Sequence, residues 1–150
     1  MPVRHPVALC LILAAAACSG KPPVTPPPAD PSVTVTQFLA AVQAKDYARM
    51  GELWGSAKNG PAVRYMKADE LEKRLIVMQS YLAHERYAME PTSLPGVSAD
   101  QRVVRVRLMR RGCTPVVPFT VVRYREGWLV YEVDLQAAGN PAKPCAQPTR

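Results

Sequence analysis

The chain has 150 residues, of which 48% are hydrophobic and 16 are proline, and its formal net charge is +7. That length is enough for one small domain with one core, and no internal repeat or second domain is read in it. The positive charge does not point to nucleic acid, because no basic segment is interleaved with stacking aromatics; it suits attraction to anionic lipid or polysaccharide phosphates, or equally a solvated surface.

The predicted elements begin with an export signal over residues 1–17. Arg4 supplies a positive start, and the apolar run from Val7 to Ala17 follows. That run is too short to cross a bilayer core of about 30 Å as a helix, so it reads as a secretory signal. Ala14-Ala15-Ala16-Ala17 provide the small side chains that a signal peptidase needs. The tetrad Ala15-Ala16-Ala17-Cys18 resembles the lipobox of bacterial lipoproteins, with Ala15 where Leu is commoner. The resemblance implies a diacylglyceryl thioether on Cys18, cleavage before it and acylation of the new amine. Two or more acyl chains anchor stably, at about 0.8 kcal/mol per buried CH2. The alternative is an ordinary cut after Ala-x-Ala, with Cys18 left free. Ser19 stands where an Asp favours inner-membrane retention. The expected location is therefore the bacterial envelope, at the outer membrane and facing the periplasm.

Residues 18–31 are predicted to be the lipidated Cys and a tether. Pro22, Pro23, Pro26, Pro27, Pro28 and Pro31 fix φ and remove N–H donors. An extended polyproline segment of about 3.1 Å per residue gives a reach of roughly 35 Å, which lifts the domain off the membrane. Residues 32–139 form the predicted domain, and 140–150 a Pro-rich tail. Cys10 leaves with the signal and Cys18 takes lipid. Cys113 and Cys145 remain, an even number in an oxidising compartment. Pairing them pins the tail to the sheet and closes a loop of about 33 residues, worth about 3–4 kcal/mol of chain entropy. The alternative is two free thiols.

Within the domain, Val35, Phe38, Leu39 and Val42 make the apolar stripe of a helix over Ser32–Ala44. Asp46 caps a second helix, Tyr47–Trp54, with Met50, Leu53 and Trp54 inward; Gly55 stops it. Asn59-Gly60-Pro61 is a turn. A third helix runs from Ala68 to Leu82 with the stripe Leu71, Leu75, Met78 and Leu82, and Asp69 with Glu72 resembles a capping box. The period then changes. His84–Glu90 alternates weakly, and Pro91–Gln101 is a loop or wide hairpin. Arg102–Arg110 places Val104, Val106 and Leu108 on one face and Arg105, Arg107 and Met109 on the other. Val116–Arg125 is a third strand with an edge or bulge at Pro118. Glu126-Gly127 is a tight turn, and Trp128–Leu135 the fourth strand.

Helices first and a strand meander after predict an α+β fold, with helices on one face of a curved, four-stranded antiparallel sheet. Three segments carry a further resemblance: the opening Val35-Thr36-Gln37-Phe38-Leu39-Ala40-Ala41 helix, the Lys45-Asp46-Tyr47 step, and the closing Tyr124-Arg125-Glu126-Gly127-Trp128-Leu129-Val130 hairpin. Over about residues 32–135 this order resembles the nuclear-transport-factor-2-like superfamily, cone-shaped domains shared by ketosteroid isomerases, polyketide cyclases and many small secreted proteins. The resemblance implies a cone that in its enzymes holds Asp, Tyr or His for proton transfer, and a sheet through which relatives often dimerise.

Candidate chemistry is sparse. His84 suits general acid–base work near neutral pH, with Tyr81 three residues before it as a candidate partner. No carboxylate is patterned with it, and a hydrogen-bonded His at a helix–strand junction is the plainer reading. Glu132 and Asp134 share a strand face, where a carboxylate pair can work as acid and base or form ion pairs with Arg123 and Arg125. Trp54, Tyr65, Tyr81 and Tyr131, with Tyr47 and Tyr87, could wall a cavity for a small apolar ligand. Arg105, Arg107 and Arg123, within a longer ladder of arginines, could clamp phosphate or carboxylate groups. No metal-ligand set, phosphate loop or nucleophile elbow is present, and no cofactor is implied.

Three functions follow as expectations. The first is a lipid-tethered envelope domain that binds a ligand or partner without catalysis, through the cone pocket or the basic sheet face. The second is a small-molecule isomerase or cyclase using His84 and a tyrosine. The third is a structural envelope protein that contacts anionic polysaccharide through its arginines. Ligand, partner and oligomeric state stay open.

Overall fold

A computed structural model describes residues 23–91 and 93–143. The predicted signal, the lipidation site Cys18, the start of the tether, and Cys145 with the end of the tail lie outside the described residues.

Helix α1 (Pro31–Ala44) begins where Asp30 accepts from the backbone N–H groups of Ser32 and Val33, at 2.8 and 3.0 Å. Pro31 occupies the first turn, where its missing N–H is no loss. The helix ends at Lys45, in the left-handed region with φ 53°. It buries Thr34, Val35, Phe38, Leu39, Ala41 and Val42. Asp46 caps α2 (Tyr47–Leu53) by accepting from Arg49 N–H at 2.9 Å. Trp54 is already extended and forms a parallel bridge to Val130. The predicted turn at Asn59-Gly60-Pro61 is part of a small hairpin, β1 (Gly55–Ser56) with β2 (Gly60–Pro61). A 3-10 turn, Ala62–Arg64, leads to α3 (Ala68–Leu82). Leu71, Leu75, Met78 and Leu82 are its buried stripe. The expected capping box does not form: Lys67 holds the cap position without a side-chain bond. The helix starts one residue before Asp69, so that carboxylate sits inside the first turn, where it favours the helix dipole instead.

The sheet has five strands, not the four expected from sequence. Its order is β3 (Arg86–Met89), β5 (Gln101–Met109), β6 (Val116–Tyr124), β7 (Gly127–Val133), with β4 (Leu94–Pro95) also on β5. The cause is a mismatch of length. β3 pairs only with Val106–Met109, which leaves the first half of that β5 edge open. Leu94 and Pro95 fill it opposite Val103 and Arg102. All pairings in this sheet are antiparallel.

Pro118 stands in an interior strand rather than at an edge. Its carbonyl accepts from Asp134 N–H, just past the last residue of β7, so the missing donor falls where the ladder ends. The β6–β7 turn is made by Arg125 and Glu126, with Tyr124 opposite Gly127. Arg125, not a glycine, takes the positive φ of 56°. A bulge interrupts β7: Thr120 pairs with Glu132 and Val121 with Val130, which leaves Tyr131 as the extra residue. A short helix α4 (Leu135–Ala138) follows, capped by Asp134, which accepts from Ala137 N–H at 2.9 Å.

The core lies between the helices and one sheet face. Phe38 and Phe119 meet edge to face there, with centroids 6.4 Å apart and rings inclined 71°. Among the described residues, no helix is long and apolar enough to cross a membrane.

Candidate functional site

The space that the cone resemblance reserves for a ligand is filled. Val104, Val106, Leu108, Val117, Phe119 and Val121 occupy the helix-facing side of the sheet with at most 1% exposure. The candidate aromatics do not converge. Trp54 donates its indole N–H to the carbonyl of Tyr131, 3.1 Å away, which ties it to the bulge. Tyr65 and Tyr131 are each 46% exposed. Tyr81 lines a shallow surface cavity of about 330 Å3 with Val77, Leu135 and Gln136. His84 lines a different one, of about 430 Å3, with Arg110, Arg111 and Lys143.

His84 is engaged in structure. Its Nδ1 is 2.8 Å from the carbonyl oxygen of Leu82, so that nitrogen carries the proton and donates. Its ring packs edge to face on Tyr87 at 5.5 Å. Nε2 is buried without a hydrogen-bond partner among the described residues. The imidazole–hydroxyl or imidazole–carboxylate contact that proton transfer needs is therefore not formed.

Arg110 does more at this corner than the sequence suggested. Its Nε donates to Ala83 O at 2.7 Å, Nη1 to Ala138 O at 2.7 Å, and Nη2 to Tyr81 O. The last carbonyls of a helix have no partner within it. Arg110 and His84 together satisfy Tyr81, Leu82 and Ala83 at the end of α3, and Arg110 also reaches the end of α4. Partial burial lowers the Arg110 pKa below the ordinary arginine value, yet a guanidinium keeps its charge in a protein. Arg110 is set in place by a bridge to Cys113 across the Arg111-Gly112 turn. Cys113 is disulfide-bonded. Its expected partner, Cys145, lies outside the described residues.

The arginines divide by strand phase. Arg102 and Arg110 continue the inward row of Val104, Val106 and Leu108, one at each end. Arg123 continues the inward row of β6. Arg102 and Arg123 stand over the ring of the buried Trp128, at 5.8 and 5.1 Å. Arg105 and Arg107 point the other way and are exposed. The expected trio Arg105, Arg107 and Arg123 is thus split between two faces. Arg86, opposite Met109, joins Arg105 and Arg107 on the outer face. Among the described residues, a 3.4 Å pair with the half-exposed Glu90 engages Arg105, and such surface pairs are worth little.

The other end of that face carries acids. Glu132, Asp134, Thr120 and Gln136 line a groove of about 600 Å3. Asp134 is committed to capping α4, where it accepts from Ala137 N–H, so it is not held as the acid–base partner of Glu132. Among the described residues, no three His, Cys, Asp or Glu side chains converge as metal ligands.

Arg110 was legible in one respect: it falls in the inward phase of its strand, where a charge must find partners. No family model, curated protein or solved structure matches the chain.

Proposed function

We propose that this chain is a lipoprotein of the bacterial envelope, anchored through Cys18 at the periplasmic side of the outer membrane. Its domain is a nuclear-transport-factor-2-like cone that binds without catalysis. The order of helices, then a hairpin-connected antiparallel sheet, supports that fold assignment. The packed interior and the committed His84 argue for surface binding over small-molecule chemistry.

One observation carries the binding surface. Arg105 and Arg107 lie two residues apart on β5, exposed on the sheet face opposite the inward row of Val104, Val106 and Leu108, with exposed Arg86 near them on β3. Neighbouring guanidiniums on a rigid strand suit the phosphate or carboxylate groups of an anionic envelope polysaccharide. The pocket-bound apolar ligand and the isomerase or cyclase reading have no comparable support.

The test is binding of the full chain to lipopolysaccharide as a function of salt. Binding should weaken steeply as salt rises, because exposed charges are screened within about 8 Å at physiological ionic strength. The paired Arg105→Glu and Arg107→Glu substitutions should remove most of it. Binding that ignores both salt and these substitutions would overturn the reading.

A further inference from the structure

The described chain enters the domain at the β6–β7 hairpin. Trp128 N–H donates to the carbonyl oxygen of Pro28 at 2.8 Å. Gly127 makes this approach possible: a Cβ there would lie 2.4 Å from the Pro27 carbonyl oxygen. Val24, Thr25 and Pro26 line a groove of about 470 Å3 together with Arg64, Tyr124 and Arg125. The tether is therefore held at Pro27 and Pro28, ahead of α1, and Val24 lies along the same groove. Six peptide links separate Val24 from Cys18. At 3.6 Å each their full reach is about 22 Å.

The end of the domain at which the chain is held is cationic. Arg64 and Arg125 line the groove, and Arg125 lies over the Tyr124 ring at 5.3 Å. Arg102 and Arg123 stack on Trp128 close by. Lys58 lies in the exposed β1–β2 turn, two residues from Gly60, where an added Cβ would meet the Tyr124 ring. Among the described residues, none of these five is in an ion pair. The acids nearby are fewer: Asp100, Glu126, and Asp30, whose carboxylate caps α1.

We propose that this hairpin end lies against the anionic phospholipid headgroups of the bilayer that holds the anchor. The proposal rests on lipidation of Cys18. A lipid there restrains Val24 to within about 22 Å of the surface, and the cations at the same end are attracted to a negative surface over about a Debye length. Tether and charge select the same orientation. β6 runs away from the hairpin for nine residues, roughly 30 Å, so Glu85 and Arg111 at its far end point into the periplasm. The Arg105 and Arg107 face then stands sideways to the membrane, open to a polymer.

The full lipidated chain, reconstituted in vesicles of phosphatidylethanolamine and phosphatidylglycerol, tests this. Fluorophores are placed through Glu126→Cys at the hairpin and Glu85→Cys at the far end, and quenched by spin-labelled lipid. Quenching at 126 should exceed that at 85 by about fivefold. It should fall by about half when salt is raised from about 0.15 M to about 0.5 M, where the screening length is about halved, and similarly with Arg64→Glu and Arg125→Glu together. The salt arm uses the unsubstituted surface and does not depend on those variants folding. Equal quenching at both positions, or quenching that ignores salt and charge, overturns the orientation. Intact mass separates the two claims: a lipidated Cys18 with equal quenching overturns the orientation alone, and an unlipidated Cys18 overturns both.

Discussion

The amide of Trp128 and the carbonyl oxygen of Pro28, 2.8 Å apart, join the end of a proline-rich segment to the edge strand β7. The contact turns part of a spacer into part of the fold. It also covers an edge that would otherwise offer free donors to another chain.

Substituting Gly127→Val should undo that contact. Its side chain collides with the Pro27 backbone, which cannot rotate away as a flexible side chain could. Loss of one hydrogen bond and its packing should destabilise the domain by about 1–2 kcal/mol, or about 4–8 °C in melting temperature per kcal/mol. Hydrogen exchange at the Trp128 amide should accelerate most. Unchanged protection there would show that the segment is not docked.

Arg110→Met should destabilise the domain by about 3 kcal/mol, because it leaves carbonyls at the ends of α3 and α4 without donors. Arg110→Lys should recover only part, since an ammonium cannot span the three oxygens with a planar fork. Urea titration of both variants checks the order.

Core and outer face should respond differently. Phe119→Ala removes a fully buried ring packed on Phe38 and should cost about 3–5 kcal/mol. Arg107→Ala, exposed on the outer face, should stay within about 0.5 kcal/mol while weakening binding to anionic polymer. A large stability loss at Arg107 would mean that the face is not free.

Non-reducing peptide mapping should recover Cys113 joined to Cys145. Reduction should then cost about 3–4 kcal/mol on the chain-entropy estimate and loosen Arg110, which Cys113 positions through the Arg111-Gly112 turn. A map that joins Cys113 to any other partner contradicts the pairing.

The helices were legible because each is an apolar stripe at helical spacing: Val35, Phe38, Leu39 and Val42 in α1, and Leu71, Leu75, Met78 and Leu82 in α3. β5 was legible because from Val104 to Leu108 its alternation separates valines and leucine from arginines. What escaped was set by partners far away in sequence. Leu94 and Pro95 carry no strand pattern of their own; they pair because β3 leaves part of the β5 edge vacant. Tyr131 looks like a regular strand residue until the bulge removes it from phase. Asp134 reads as a strand carboxylate, yet it caps a helix of four residues, too short to show a period. Arg110 looked like one rung of a surface ladder of arginines, and His84 read most plainly as a hydrogen-bonded residue at a helix–strand junction. Both are consumed by carbonyls at helix ends, a need that the termini of α3 and α4 create and that no local pattern announces.

The most direct measurement is the intact mass of the chain purified from bacterial membranes in detergent, alongside Cys18→Ser. A lipid-anchored envelope protein should begin at Cys18 and carry the diacylglyceryl group and the amine-linked acyl chain, and Cys18→Ser should lose both and leave the membrane fraction. A mature chain without lipid on Cys18, or one that retains residues 1–17, would contradict the anchor and the envelope function built on it.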